Sequence, residues 1–96
     1  AETIADGVKT RSPMTEAFEI VKHGCDHIVQ VTDEEIAKAM AIYYQATHNL
    51  AEGAGAISLA ALIKEKQRMT GKKVAVILTG ANIDYQRFTQ YIDAVK

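Results

Sequence analysis

Apolar and polar positions change period several times along this chain, and each change marks an element. Residues 1–11 keep no period and read as an extended or looping segment around Asp6-Gly7. Ser12 followed by Pro13 predicts a helix start, with serine as the cap and proline where its missing N–H costs nothing. Met14, Ala17, Phe18 and Val21 then recur at helical spacing, and Gly24 is placed to end that helix in the left-handed region. His27-Ile28-Val29-Gln30-Val31 is short and β-branched, which predicts a strand. Thr32-Asp33-Glu34-Glu35 has the form of a capping box, in which the Thr hydroxyl and the Glu carboxylate satisfy each other's N–H groups. A face of Ile36, Met40, Tyr43 or Tyr44, and Thr47 carries the helix that it opens to about His48. Another helix is predicted from about Ala54 to Met69, apolar early and charged late, with Gly71 as its stop. The unbroken apolar run Val74 to Leu78 predicts a strand over 73–78, and 84–95 closes the chain as a helix with Phe88, Tyr91, Ile92 and Val95 inward.

Both predicted strands are apolar on both faces, since Ala75 and Ile77 are as apolar as Val74, Val76 and Leu78. That pattern belongs to a parallel strand covered by helices on each side. The expected class is therefore α/β, a helix-covered parallel sheet, with residues 1–96 forming a single segment. Two strands do not make a stable sheet of this kind, so a companion segment or self-association is expected to cover the strand edges.

Bulk properties narrow the function without choosing it. Eleven basic and twelve acidic residues are well mixed and give a formal net charge of −1, so no basic stripe points to nucleic acid. The apolar runs are far shorter than a membrane span. A single cysteine, Cys25, excludes an internal disulfide and favours a cytoplasmic setting. The chain opens on Ala1-Glu2 rather than methionine, as a processed product, a segment of a longer chain, or a chain that lost its methionine before alanine would.

Three stretches carry candidate chemistry. Thr79-Gly80-Ala81-Asn82 follows the second strand, and in open α/β sheets ligands bind beyond the carboxyl ends of strands. There Thr79 either offers a hydroxyl to a ligand or simply ends the strand while Asn82 or Asp84 caps the last helix. In Glu52-Gly53-Ala54-Gly55-Ala56 the small residues keep the backbone open to a flat ligand or a neighbouring strand. Glu52 there either serves a site or favours the helix dipole. His23-Gly24-Cys25-Asp26-His27 holds four potential metal ligands, but Gly24 breaks the helix that would align the two histidines, which leaves a surface turn and no metal site.

Four segments occur in an order and spacing that characterise one family: ETIADGVK at 2–9, VTDEEIAKAM at 31–40, AEGAGAISLAAL at 51–62 and VAVILTGANID at 74–84. The chain resembles the last third of the threonine dehydratase and serine racemase family, pyridoxal 5′-phosphate enzymes of the tryptophan-synthase β-like fold. The resemblance implies that Thr79 stands where the family's hydroxyl residue binds the cofactor's pyridine nitrogen. It also implies that Gly80 and Asn82 continue that turn, that Glu52 lies near the ring, and that Gly7 runs its backbone along the cofactor. A neutral hydroxyl does not hold the nitrogen protonated, so the ring is the weaker electron sink suited to β-elimination.

The departures matter as much. The family's Ser-Phe-Lys motif and its Gly-Gly-Gly-Gly phosphate loop are both absent, and none of the eight lysines stands in such a context. The Schiff-base lysine and the metal carboxylates of some members are expected upstream, in the remainder of the catalytic domain. His48 occupies the place of a lysine that contacts ATP in serine racemases, which argues against ATP activation. The implied whole enzyme is a threonine or serine ammonia-lyase, forming a 2-keto acid and ammonia from a small amino acid and assembling as a homo-oligomer. This chain alone is expected to be inactive. A serine racemase, a hydroxyaspartate ammonia-lyase and a non-catalytic α/β interaction domain are the alternatives.

Overall fold

A computed structural model describes residues 2–95; Ala1 and Lys96 lie outside the described residues. A 3-10 turn at Asp6–Val8 is followed by four helices: α1 (Thr15–Gly24), α2 (Asp33–Thr47), α3 (Gly53–Lys64) and α4 (Tyr85–Asp93). Helix α2 packs on α3 and α4, and α3 carries the 3-10 turn on its first residues. Helix α1 packs against no other element among the described residues.

The capping box forms as the sequence predicts. Glu35 N–H donates to Thr32 Oγ1 at 3.1 Å, and the Thr32 N–H donates to Glu35 Oε1 at 2.8 Å. The second bond, first among the causes, holds the Glu35 carboxyl below its ordinary range. From that start α2 turns Ile36, Ala37, Ala39 and Met40 inward, and His48 ends it at φ 58°. Opposite lie Ala56 and Ala60 of α3, with Ala5, Ala51 and Phe88 completing the core. Alanines at the contact let two helical backbones approach closely, and Met40 is the largest side chain fully enclosed. On α4 Phe88 is buried while Tyr91 and Ile92 are half-buried, and the Phe88 ring meets Tyr44 edge-on at 5.5 Å.

Several element boundaries differ from the sequence expectation. Helix α1 starts at Thr15, because Met14 is still extended (ψ 135°) and supplies the first carbonyl, so Ser12 caps nothing. Gly24 stays within the helix, and Gly71 is the one glycine with positive φ among the described residues. The apolar stripe of α1 faces outward, with Met14 at 77% exposure. Helix α3 stops at Lys64, where the Glu65 carboxylate bonds both His27 and Arg68; three-residue turns then lead to Gly71 at φ 78°.

The largest correction concerns the sheet. No strand forms among the described residues, and no backbone hydrogen bond joins 27–31 to 73–78. The period of two survives all the same. Val29 and Val31 on one segment, and Val76 and Leu78 on the other, are half-buried. Their neighbours point to solvent, Ile28 at 74% and Ile77 at 73% exposure. Each segment therefore has its inner face covered and its outer face bare, instead of helices on both sides. A strand is defined by the ladder it joins, and neither segment has a ladder partner among the described residues.

The consequence is measurable in the shape. The chain spans 38 × 36 × 18 Å with a radius of gyration of 14.2 Å, against about 12.5 Å for a compact domain of this length. It exposes 7352 Å², where a self-contained protein of this mass exposes roughly 5,400 Å². The excess is the bare outer face of α1 and of the two extended runs. No described helix is long and apolar enough to cross a membrane.

Candidate functional site

The first turn of α3 organises the only region where the predicted site residues meet. Glu52 is its N-cap residue, extended at ψ 169°, and its carboxylate does not cap the helix. Two glycines then press directly on other backbone. A Cβ on Gly53 would lie 2.5 Å from the Ile4 carbonyl oxygen, and one on Gly55 would lie 2.4 Å from the Gly80 carbonyl oxygen. Of the two partners that the Gly-Ala stretch permits, a ligand or a chain segment, Gly55 receives the chain segment. The Glu52 N–H donates to the Gly80 carbonyl at 3.1 Å, one of the orphan donors of a helix start finding its acceptor.

Gly80 is packed from its other side as well, since a Cβ there would meet Glu52 Oε1 at 2.7 Å. Gly7 lies above Ala54, with its own Cβ position 3.2 Å from that methyl. The chain thus crosses α3 twice, at residues 4–7 and 77–80, leaving an open cleft between the crossings. That cleft measures about 410 Å³, with Gly7, Glu52, Ser58 and Thr79 on its rim and Ile57 and Ile77 as apolar wall. Thr79 is exposed, and its hydroxyl makes no hydrogen bond among the described residues.

Gly7, Glu52 and Thr79 therefore share one cleft, and Gly80 forms the partition beside it. Asn82 lies beyond that partition, in a second cleft of about 300 Å³ with Asp6, Asp84 and Arg87. Glu52 borders both clefts. The cap of α4 is Asp84, whose Oδ1 accepts from Arg87 N at 2.8 Å, so Asn82 has no capping task.

One rim residue escaped the sequence reasoning. Ser58 Oγ donates to the Ile77 carbonyl at 2.9 Å. Its signal was available: Ser58 is the lone polar side chain between Gly53 and Ile63.

The His23–His27 stretch does other work. His23 pairs with Glu19 one turn earlier on α1 at 3.2 Å. His27 bonds Asp26 through Nδ1 at 2.6 Å and Glu65 through Nε2 at 2.9 Å. The Asp26 bond, and then Glu65, raise the His27 pKa above its ordinary value, and His27 in turn lowers that of Asp26. This cluster ties the turn before the first extended run to the end of α3, away from the cleft.

With that geometry in view, comparison with known proteins identifies the lineage. The family model described as pyridoxal-phosphate dependent enzyme matches residues 1–80. An L-threonine ammonia-lyase of Thermotoga maritima is 40% identical over 91 residues, covering 95% of this chain and 22% of that protein. An L-threo-3-hydroxyaspartate ammonia-lyase of a Pseudomonas species is 32% identical over 94% of this chain and 28% of its own length. Among solved structures, the serine racemase of Dictyostelium discoideum superposes with a TM-score of 0.77 at 35% identity, over 88% of this chain and 28% of that one. The chain spans about a quarter of the length of these relatives. Family match, identity and superposition agree: this chain belongs to the pyridoxal-phosphate dependent enzymes.

Proposed function

We propose that the chain is the C-terminal part of a catalytic domain that deaminates L-threonine or L-serine by β-elimination. In the threonine case the products are 2-oxobutanoate and ammonia. The observation that carries this reading is Thr79, an exposed hydroxyl with no partner among the described residues, set beside Gly7 and Glu52 on an apolar-walled cleft. Those residues fit a pyridine ring. Gly7 keeps one side low, Ile57 and Ile77 offer apolar wall, and a single O–H stands ready for a ring nitrogen.

When bound, pyridoxal phosphate supplies an electron sink for the pair released at an amino acid's Cα. Thr79 would hold the ring nitrogen by donating its proton without transferring it. Glu52 would border the ring, and Gly80, pinned against Glu52 and Gly55, would fix where the Thr79 hydroxyl stands. Asn82 shapes the chain beyond the partition and, in this reading, steadies the turn. Among the described residues no lysine or arginine lines the cleft. The Schiff-base lysine and the phosphate donors therefore belong to the remainder of the catalytic domain, and the isolated chain is inactive.

The test is keto-acid formation by the whole protein from L-threonine and L-serine, with the isolated chain as control. The reading predicts 2-oxobutanoate or pyruvate from the whole protein and neither from the chain. Racemisation of serine without keto acid, or no turnover of either amino acid, contradicts it.

A further inference from the structure

We infer that Ser58 is a positioning residue that sets where the Thr79 hydroxyl stands in the cleft. The inference rests on the reading of Thr79 as the partner of a cofactor nitrogen and assigns the residue that aims it. A serine inside a helix ordinarily bonds back to the carbonyl one turn earlier or turns to water. Ser58 does neither, and its Oγ donates across to the Ile77 carbonyl at 2.9 Å. At Ile77 the chain is bare on its outer face, and no ladder hydrogen bond holds the 73–78 run among the described residues.

Among the described residues two hydrogen bonds from α3 and its N-cap fasten this stretch, and they bracket Thr79. The Ser58 hydroxyl holds the carbonyl two residues before it, and the Glu52 N–H holds the carbonyl of Gly80 just after it, at 3.1 Å. Ser58 on α3 and Glu52 at its N-cap lie six residues apart, so the donors keep a fixed separation and act as two pins on a rigid bar. With both in place, the Ile77–Leu78 and Gly80–Ala81 peptide units, one removed from Thr79 on each side, are held and its side chain is left facing the cleft. With Ser58 removed, the turn pivots on Gly80 alone, which lacks a side chain to resist rotation.

The experiment compares Ser58→Ala and Ser58→Thr with the wild type by NMR. Two signals report on the turn: hydrogen exchange of the Glu52 amide and the chemical shift of the Thr79 methyl group. The amides of Ala39 and Met40, in the α2 core, report on global stability. Ser58→Ala is expected to speed Glu52 exchange about fivefold, the worth of one ordinary hydrogen bond. It should also move the Thr79 methyl while leaving the α2 amides unchanged, and Ser58→Thr should restore both signals. Wild-type signals in Ser58→Ala, or equal acceleration of all amides, overturn the inference. Titration of the whole protein with pyridoxal 5′-phosphate separates the two layers. Weakened uptake in Ser58→Ala, restored in Ser58→Thr, completes the case. A wild type that takes up none defeats the cofactor role, while the exchange and methyl signals still decide whether Ser58 sets the turn.

Discussion

Helices α1 and α2 are both amphipathic, yet only one of them is packed. The apolar side of α2 closes on α3 through alanines and Met40, whereas Phe18 and Val21 of α1 stay about half exposed and Met14 more so. Periodicity reports that a face wants cover; it does not say that the cover lies in the same chain. The outer faces of residues 27–31 and 73–78 repeat the lesson, with Ile28 and Ile77 bare beside half-buried Val29 and Val76. The chain exposes more surface than its mass warrants and spans about a quarter of its relatives' length, and these apolar faces have no cover among its described residues.

The sharpest way to probe that contrast is to remove one apolar side chain from each helix. Met40→Ala opens a cavity in the enclosed core and should cost about 2–5 kcal/mol. Phe18→Ala on α1 should change the stability of this chain by less than about 0.5 kcal/mol. Urea unfolding of both variants measures the pair. Equal losses would mean that α1 is packed in solution and that the contrast is wrong.

Gly55→Ala probes the boundary between the packed and open regions. Its new methyl would meet the Gly80 carbonyl oxygen, a backbone atom that cannot swing aside, at 2.4 Å. Overpacking of this kind costs about 1–3 kcal/mol. The expected result is a lower unfolding midpoint together with faster exchange of the Glu52 amide. Loss of stability with the Glu52 amide unchanged would show that α3 and the turn moved apart as one body.

The smallest expected effect lies at the tie between Asp26, His27 and Glu65. His27 has a folded pKa raised above 6.5, chiefly by its bond to Asp26, with Arg68 opposing. Its contribution to stability is therefore complete below pH 6.5 and is lost as pH rises through the folded value. Asp26, whose pKa is lowered, contributes above 3.8 and loses its share as pH falls through its folded value. A melting-temperature series should decline gently on the alkaline side of 6.5, and His27→Gln should flatten that decline. An unchanged slope in His27→Gln would assign the effect to other groups.

Legibility in the sequence followed locality. The Thr32–Glu35 box and most of the inward faces of α2 and α4 are written in adjacent residues and formed as read, although Thr47 is exposed and α4 ends at Asp93, before Val95. The sheet failed because a strand needs a partner, and neither run has one among the described residues. The Thr79, Glu52 and Gly7 cluster was legible through motif resemblance, and the fold brings those three to one cleft. Asn82 shares a cleft with Glu52 but not with Thr79 or Gly7, since Gly80 packs against Glu52 between them, a contact that no spacing along the chain announces. Ser58 was missed for the same reason: its partner, Ile77, lies nineteen residues away.

The central claim is that the Thr79 hydroxyl faces a pyridine nitrogen, and one measurement addresses it directly. The whole protein would be loaded with pyridoxal 5′-phosphate labelled with ¹⁵N in the ring, and the nitrogen resonance compared between wild type and Thr79→Val. The account predicts an unprotonated nitrogen hydrogen-bonded in the wild type and released in Thr79→Val. A pyridinium signal, or a resonance that Thr79→Val leaves in place, would contradict it.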